Sequence, residues 1–340
     1  MASSELETHR LHRVDDLYLC NRKALDHKSS AFFSSPTISV KHNHGKHMTF
    51  FESHKPYEKT YVLYHANCFD GLGAAYAAWQ VLGDSNTEYI PVQYGENPPQ
   101  MEAGSNVYIV DFSYKRDVLD SLRSTAANLV VLDHHKTAAE DLAGYPGAVF
   151  DMSKSGAVLS WEYFHPGSEV PVLLDYIQDR DLWTWQYPLT KPVMAAMELY
   201  KGDFRNFGKL DRNELLQSGY AKLQFDELEL EKAVKKALIV KYPNYPGSPL
   251  ACALLNTTNL ISETGNKLCK ELPVDFSLSF FVEKSGDVVF SFRSLEDFDV
   301  SVLAKALGGG GHRNAAGARV SSDAGYALLG QLYSSATSGT

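Results

Sequence analysis

The feature that most constrains this chain is a series of short apolar segments that alternate with helical patterns after Tyr57. Residues 61–65, 107–110 and 129–132 have the length and composition of buried strands, and residues 70–82 have those of a helix. Strands that alternate with helices are typical of a mostly parallel sheet covered by helices. We therefore predict an α/β domain in the first part of the chain.

The alternation resumes beyond a proline-rich stretch at 242–249, which follows a long helical pattern at 211–240. Proline-rich stretches commonly separate domains. The sequence therefore predicts two α/β domains, the second smaller than the first, with the active site in the cleft between them. The expected division is a disordered tail at 1–57, a catalytic domain at 58–205, a connecting helix and linker at 206–249, and a substrate-binding domain at 250–340.

Composition excludes several classes of protein. The chain has 340 residues and a net charge of −9, which favours two domains and argues against extended binding to duplex DNA. We find no apolar stretch long enough to span a bilayer, so no membrane contact is expected. Four cysteines without a CxxC pair, and no secretory signal, favour the reducing cytoplasm, with organelle import through the tail left open.

Three of the predicted strands end in an ionisable residue. His65, Asp111 and Asp133 each follow an apolar run. In open α/β sheets, ligands bind just beyond the carboxyl ends of the strands. We therefore expect these three side chains to meet at one edge of the sheet.

The sequence Asp133-His134-His135 is the strongest chemical signal, and Asp70 and Asp179 supply further carboxylates at helix ends. Read singly, these residues could be turn formers, helix caps or ion-pair partners. Taken together, carboxylates and imidazoles suit a pair of Mn²⁺ ions, with Mg²⁺ as the second candidate. Two such ions activate water and stabilise an in-line displacement at phosphorus, which predicts phosphoester hydrolysis.

A run of glycines at 308–311, followed by His312 and Arg313, is the second signal. Consecutive glycines can form an anion-binding nest, and the alternative is a flexible hinge. Arg293 ends a neighbouring strand. Its guanidinium could bind a phosphate or pair with the acids at 296–297.

These residues carry a family resemblance. Asp133-His134-His135, with Asp70-Gly71, Asp111 and Asp179, resembles the DHH superfamily of phosphoesterases, and Gly309-Gly310-Gly311-His312 through Ala315-Ala316-Gly317 resembles the signature of the DHH-associated C-terminal domain. The resemblance covers residues 61–320. Within the superfamily the chain is most similar to the oligoribonuclease NrnB and cyclic-nucleotide phosphodiesterase-like group.

The resemblance implies roles for individual residues. Asp111 would bridge two Mn²⁺ ions, Asp70, His134 and Asp179 would complete one metal position, and His65 would contribute to the other. Asp133 and His135 would be catalytic, with His135 facing the substrate phosphate. The second domain would bind substrate through Arg293, Gly309, Gly310, Gly311, His312 and Arg313.

One position departs from the family pattern. Many relatives carry Asp-x-Asp-Gly where this chain has Cys68-Phe69-Asp70-Gly71. Cys68 could ligate a softer metal as a thiolate, or it could be a small buried residue at the start of a helix. The sequence leaves both interpretations open.

The expected function is hydrolysis of short oligoribonucleotides, or of cyclic or linear dinucleotides, to mononucleotides by metal-activated water. The alternatives are a phosphomonoesterase acting on a small nucleotide such as an adenosine bisphosphate, and a nucleotide-binding protein without catalysis. Short RNA or a nucleotide is the expected partner, and a homodimer is considered. Trp183 and Trp185 could stack a base or pack in the interior.

Overall fold

The computed structural model describes residues 59–200, 203–243 and 249–336. The predicted tail at 1–57 and the middle of the proline-rich stretch, 244–248, lie outside these residues. Our predictions for those segments stay predictions. Within the described residues the chain forms a five-stranded and a six-stranded sheet, each covered by helices. The predicted α/β fold class with two domains is confirmed.

The first sheet is entirely parallel and has the strand order β2-β1-β3-β4-β5. This order places β1, β3 and β4 side by side, so that their carboxyl ends lie at one edge. The strands are β1 (Thr60–His65), β2 (Thr87–Val92), β3 (Asn106–Val110), β4 (Asn128–Asp133) and β5 (Ala148–Phe150).

Helices cover this sheet on both faces because its central strands are apolar on both sides. Along β3, Val107 and Ile109 pack into one hydrophobic cluster, and Tyr108 and Val110 pack into another. The helices are α1 (Phe69–Leu82), α2 (Arg116–Thr125), α3 (Lys136–Asp141), α4 (Gly156–Phe164), α5 (Val172–Asp181), α6 (Thr190–Met197) and α7 (Arg212–Lys236), with 3₁₀ turns at Glu198–Tyr200 and Phe204–Lys209.

The second sheet has the order β10-β11-β9-β8-β7-β6, and its pairs are antiparallel except for β7 and β8. The strands are β6 (Leu238–Tyr242), β7 (Leu250–Asn256), β8 (Phe276–Val282), β9 (Val288–Arg293), β10 (Gly310–Gly311) and β11 (Ala315–Val320), and the helices are α8 (Ile261–Glu271), α9 (Ser301–Ala306) and α10 (Ser322–Ala336). Phenylalanines of β8 and β9 fill its core.

The structure differs from the sequence-based expectation after α7. We predicted one helix through residue 240, but α7 ends at Lys236 and Leu238 begins strand β6. Strand β6 pairs with β7, so the second sheet begins before the proline-rich stretch. Val240 and Tyr242 are buried and alternate with exposed residues, which is the period of a strand. In the part of the chain that the structure describes, no helix is long and apolar enough to cross a membrane.

Candidate active site

The carboxyl ends of β1, β3 and β4 bring ionisable side chains together, as the sequence predicts. Asp111 is the centre of this group and is only 1% exposed. Its Oδ1 lies 3.1 Å from Nε2 of His134, and its Oδ2 lies 3.5 Å from Nδ1 of His65. One carboxylate therefore faces two imidazoles, each through a different oxygen.

The backbone at Asp111 is adapted to this position. Its φ of 55° lies in the left-handed region, which non-glycine residues rarely occupy. Gly156, at the start of α4, packs directly on the carboxylate, because a Cβ there would lie 2.5 Å from the Cβ of Asp111. Strained backbone of this kind is held by surrounding structure and is concentrated at functional sites.

The first group of donors consists of His65, Cys68 and Asp111. One ligand atom from each lies within 4.8 Å of the others. Nδ1 of His65 and Oδ2 of Asp111 are buried, and neither makes a hydrogen bond within the described residues. Buried polar atoms without partners are rare and indicate a missing ligand or ion.

The second group consists of Asp70, His134 and Asp181. Nε2 of His134 lies 3.3 Å from Oδ2 of Asp70 and 3.6 Å from Oδ2 of Asp181. The backbone N–H groups of Gly156 and Ala157 donate to Asp70 at 2.5 and 2.8 Å, which fixes that carboxylate at the N-terminus of α4. Oδ2 of Asp181 is buried and makes no hydrogen bond to a described residue.

The electrostatics of the two groups call for a cation. Burial, with the charges of Asp111 and Asp181, raises the pKa of Asp70 to about 7. Burial alone lowers the pKa of His134, but its contacts with Asp111 and Asp70 outweigh burial and raise that pKa well above its usual range. Two buried carboxylates, Asp70 and Asp111, and the half-buried Asp181 thus lie around one histidine, and a cation bound there would offset their negative charges.

The donors fit divalent metal ions. Carboxylate oxygens and imidazole nitrogens bind metals at roughly 2.0–2.2 Å, so two ligands of one ion lie about 3 Å apart. The His65–Asp111 and His134–Asp70 distances of 3.5 and 3.3 Å are close to this value. Asp111 of the first group also lies 3.1 Å from His134 of the second, so the two groups adjoin, and we conclude that the site can hold a divalent cation.

Asp133, which we predicted to be catalytic, holds its neighbours in place. Its Oδ1 accepts hydrogen bonds from Nδ1 of His135 at 2.7 Å and from the N–H of His134 at 2.7 Å, and its Oδ2 accepts one from Oγ of Ser113 at 2.6 Å. Both oxygens are engaged and the residue is fully buried. Asp133 is therefore placed to orient His135, whose Nε2 remains available at the cleft.

The structure does not bring Asp179, a predicted metal ligand, into either donor group. Its carboxylate accepts four hydrogen bonds, three from the loop that follows α5 and one from the first residue of α6. The donors are Oγ1 of Thr184, the N–H of Gln186, the N–H of Tyr187 and Oγ1 of Thr190. Asp181, two residues further on, occupies the expected position instead. The sequence showed both aspartates, but nothing in it shows which of them faces the cluster.

The second domain contributes His312. Its ring centroid lies 4.9 Å from that of His134 and 4.7 Å from that of His135, and it stacks on the His135 ring. Burial, together with His135 and His134, lowers the pKa of His312 to about 3. His312 is therefore a neutral imidazole at pH 7, and its predicted role in substrate binding stays a prediction.

The glycine run does not form the predicted anion-binding nest. The N–H groups of Gly308, Gly309 and His312 donate to backbone carbonyls, and that of Gly311 donates to Oγ1 of Thr137. The glycines instead permit close packing: a Cβ on Gly309 would lie 2.0 Å from a carbonyl of β11, and a Cβ on Gly310 would lie 2.8 Å from Oγ1 of Thr137. This packing places His312 against the first domain.

The two predicted arginines have different surroundings. Arg313 pairs with the exposed Asp297 at 2.8 Å, on the surface. Arg293 is half-buried, donates to the carbonyl of Phe292 and to Oγ of Ser262, and has no carboxylate within 4 Å among the described residues. Burial lowers the pKa of Arg293 to about 10. Only Arg293 keeps the character of an anion-binding group.

The two domains touch at two places near the histidine cluster. At one place, Lys136 pairs with Asp299 at 2.5 Å, one residue after His135. At the other, Arg180, one residue before Asp181, pairs with Glu263 at 3.0 Å. The cluster therefore lies where the two domains meet, with an ion pair between the domains next to His135 and another next to Asp181.

Trp183 and Trp185 lie on the loop that Asp179 holds. Both are half-buried, both have a positive φ (58° and 53°), and their rings meet edge to face at 4.8 Å. The ammonium of Lys191 lies 5.3 Å from the Trp185 ring. Neither tryptophan belongs to the hydrophobic clusters of the described residues, so the packing alternative loses support.

Several solved structures are similar to this chain. An exopolyphosphatase-related protein from Bacteroides fragilis is 16% identical, with 81% of this chain and 91% of that chain covered and a TM-score of 0.49. RecJ from Thermus thermophilus in complex with Mn²⁺ is 14% identical, with 83% and 52% covered and a TM-score of 0.46. A pGpG-specific phosphodiesterase from Vibrio cholerae is 14% identical, with 82% and 100% covered and a TM-score of 0.40.

Two sequence similarities complete the comparison. The uncharacterized protein R106 of Acanthamoeba polyphaga mimivirus is 32% identical over 284 residues, which are 75% of this chain and 66% of that protein, so the chain spans about two thirds of this relative. Residues 250–334 match the DHHA1 domain family. This match follows, in the same chain, the Asp133-His134-His135 sequence that ends β4 inside a cluster of carboxylates and imidazoles. Residues 250–334 of the chain therefore belong to the DHHA1 domain family.

Proposed function

We propose that this protein is a metal-dependent phosphodiesterase that hydrolyses short oligoribonucleotides or dinucleotides to mononucleotides. The observation that carries the proposal is the double environment of Asp111. Its two oxygens face separate donor groups, His65 with Cys68 on one side and His134 with Asp70 on the other. This is the arrangement that two adjacent metal ions require of a bridging ligand.

The first domain would hold the ions. Asp111, Asp70, His134 and Asp181 are the candidate ligands of one position, and Asp111 with His65 are candidate ligands of the other. Two bound ions supply an activated water and stabilise the charge that develops on the phosphoryl oxygens. The negative charges of these carboxylates would favour the binding of the two cations.

Residues of the cleft would bind the phosphate and handle the proton. Asp133 holds Nδ1 of His135 at 2.7 Å, which turns Nε2 of that ring toward the cleft. A proton on Nε2 can be donated to the departing ribose oxygen. His312, stacked on this ring, and Arg293, half-buried without a carboxylate, would hold the phosphate from the side of the second domain.

The ion pairs between the domains favour a short substrate. Lys136–Asp299 and Arg180–Glu263 join the two domains next to His135 and next to Asp181. A long strand would have to pass between the domains at both places and break these contacts. A dinucleotide or a short oligonucleotide end fits this closure, and it agrees with a net charge of −9, which disfavours long polyanions.

The test is hydrolysis by the purified protein of a panel of RNAs of two to seven nucleotides, cyclic and linear dinucleotides, and an adenosine bisphosphate. We expect cleavage with Mn²⁺, loss of cleavage after chelation, and at least a hundredfold loss in Asp181→Asn. Asp297→Asn, which changes a fully exposed aspartate, is the matched control and should retain activity. Cleavage of the bisphosphate alone would indicate a phosphomonoesterase. No cleavage of any member, with metal bound, would indicate a nucleotide-binding protein.

A further inference from the structure

We infer that Cys68 is a metal ligand, and that it makes the position it shares with His65 and Asp111 selective for a borderline cation such as Zn²⁺ or Co²⁺ over Mg²⁺. The inference rests on the proposed function only because both concern the same cluster of metal-binding side chains. It goes beyond that function by assigning different metal chemistry to the two positions.

The position of Cys68 in the fold is the first observation. Cys68 is the N-cap residue of α1, where serine, threonine, asparagine or aspartate normally accepts a hydrogen bond from the first turn. No side-chain cap hydrogen bond is made here. The thiol lies instead with Nδ1 of His65 and Oδ2 of Asp111, with all three ligand atoms within 4.8 Å.

The partners of Cys68 give the second, independent observation. Oδ2 of Asp111, a residue that is 1% exposed, and Nδ1 of His65 are both buried, make no hydrogen bond within the described residues, and face each other at 3.5 Å. Gly71 allows the chain to pack closely at His65, because a Cβ there would lie 2.1 Å from the carbonyl oxygen of His65. Three convergent donors, two of them with hydrogen-bonding capacity left unused, form a built site.

The donor types decide the selectivity. A thiolate and an imidazole favour Zn²⁺ and similar cations, whereas Asp70 and Asp181 in the neighbouring group are oxygen donors that suit Mn²⁺ or Mg²⁺. Binding at the first position replaces the S–H bond of Cys68 with an S–metal bond and releases one proton to solvent. No oxidant or reductant takes part in this step.

The experiment is absorption spectroscopy of the full-length, metal-free protein titrated with Co²⁺ alone. A thiolate bound to Co²⁺ gives a charge-transfer band in the near ultraviolet, which oxygen and nitrogen ligands do not give. We expect this band in the wild type and in Cys269→Ser, whose thiol contacts a backbone carbonyl elsewhere, and its loss in Cys68→Ser. Circular dichroism checks that each variant is folded.

A competition measurement tests the selectivity. In Cys68→Asp, the ratio of Zn²⁺ to Mn²⁺ affinity should fall at least about tenfold, a size of effect typical of changes near metal ligands. Zn²⁺ should also protect Cys68 of the wild type from alkylation, as read by mass spectrometry of the peptide. A cobalt complex without the band, or a band that survives in Cys68→Ser, overturns the inference.

The outcomes separate this inference from the proposed function. If the band depends on Cys68 but no phosphoester is cleaved, the ligand assignment stands and the proposed function fails. If Mn²⁺-dependent cleavage occurs but Co²⁺ binds without the band, the proposed function stands and the ligand assignment fails.

Discussion

The substitution Asp179→Asn distinguishes two roles for this residue. The sequence predicts a metal ligand, whereas the structure indicates a hydrogen-bond acceptor that stabilises the fold. As a metal ligand, Asp179 would matter for metal binding and little for the fold of the metal-free protein. In the structure Asp179 is 2% exposed, and its carboxylate accepts three hydrogen bonds from the loop after α5 and one from the first residue of α6. We therefore expect the variant to lose stability and to keep its metal.

The magnitude follows from the four donors. Asparagine can still accept at one oxygen, so the bonds from Thr184 and Gln186 to Oδ1 survive. Its amide group then faces the N–H of Tyr187 and the hydroxyl of Thr190, which both donate to Oδ2. The hydroxyl of Thr190 can turn and accept a hydrogen bond from the new amide. The backbone N–H of Tyr187 can only donate, so it loses its acceptor. One lost charged hydrogen bond and one buried N–H without an acceptor together cost about 2–4 kcal/mol.

The effect has a definite pH dependence. Burial alone raises the pKa of Asp179, but the hydrogen bonds from Thr190 and Thr184 outweigh it, so the pKa lies below 3.8 in the folded protein. A carboxyl group whose pKa is lowered by folding stabilises the fold at pH values above its unfolded pKa. That contribution is lost as the pH falls through the folded value. The difference between wild type and variant should therefore be largest near neutrality and shrink below about pH 4.

Urea unfolding of the chelator-treated protein measures the free energy of unfolding of each variant. Calorimetric titration with Mn²⁺ measures its affinity for the metal. Asp181→Asn is the matched variant. Its Oδ2 makes no hydrogen bond, and burial with Asp111 acts to raise the pKa of Asp181, so its removal should change metal-free stability by less than about 1 kcal/mol. It should weaken metal binding at least about tenfold. The reverse pattern, with Asp179→Asn stable but unable to bind metal, would refute our reasoning.

Two further substitutions test the packing and the electrostatics. Gly156→Ala puts a Cβ 2.5 Å from that of Asp111 and should weaken Mn²⁺ binding at least about tenfold. In the control Gly330→Ala in α10, the new Cβ meets nothing within 4 Å, and the variant should gain up to about 1 kcal/mol of stability. Calorimetry and urea unfolding measure these effects, and unchanged metal affinity in Gly156→Ala would contradict the packing. Burial raises the pKa of Asp175 from 3.8 to about 6, so its charge costs stability, which is lost as the pH rises from about 4 to about 6 and stays lost above that. Asp175→Asn should stabilise the protein by about 1 kcal/mol at pH 7.5, after allowance for partial exposure, and not at pH 4. Equal urea midpoints at both pH values would contradict this assignment.

The sequence predicted the centre of the site because strand topology determines it. Parallel neighbours present their carboxyl ends at one edge, so His65, Asp111 and Asp133 could be brought together from the apolar runs that precede them. Their individual tasks could not be predicted in this way. The hydrogen bonds of Asp133 depend on Ser113, which lies 20 residues away in the chain.

The structure departs from the sequence-based expectations where tertiary contacts decide between local alternatives. Asp179 and Asp181 are two residues apart on one helix and so point in different directions, and the choice between them depends on donors in the following loop. The glycine run was predicted to bind an anion, but Thr137 of the other domain takes the N–H of Gly311. At Leu238, an apolar pattern compatible with helix became an edge strand because β7 was available to pair with it.

Arg293 is the residue through which the second domain can favour an anion. Desolvation lowers its pKa to about 10, and Glu263, whose negative charge acts to raise that pKa, is paired with Arg180 instead. Holding this charge costs stability, which the bonds to Phe292 and Ser262 partly offset. A bound phosphate would supply the missing countercharge.

The balance at Arg293 therefore predicts an effect on substrate binding without an equal effect on the fold. Arg293→Met should change the free energy of unfolding by less than about 1 kcal/mol, since the burial cost and the two hydrogen bonds are lost together. It should raise KM at least about tenfold, because a desolvated guanidinium–phosphate contact contributes about 1.5–3 kcal/mol. Arg313→Met, which removes a surface ion pair, should change neither quantity by more than a small factor. A variant of Arg293 that loses stability but keeps its KM would show that this guanidinium serves the fold alone.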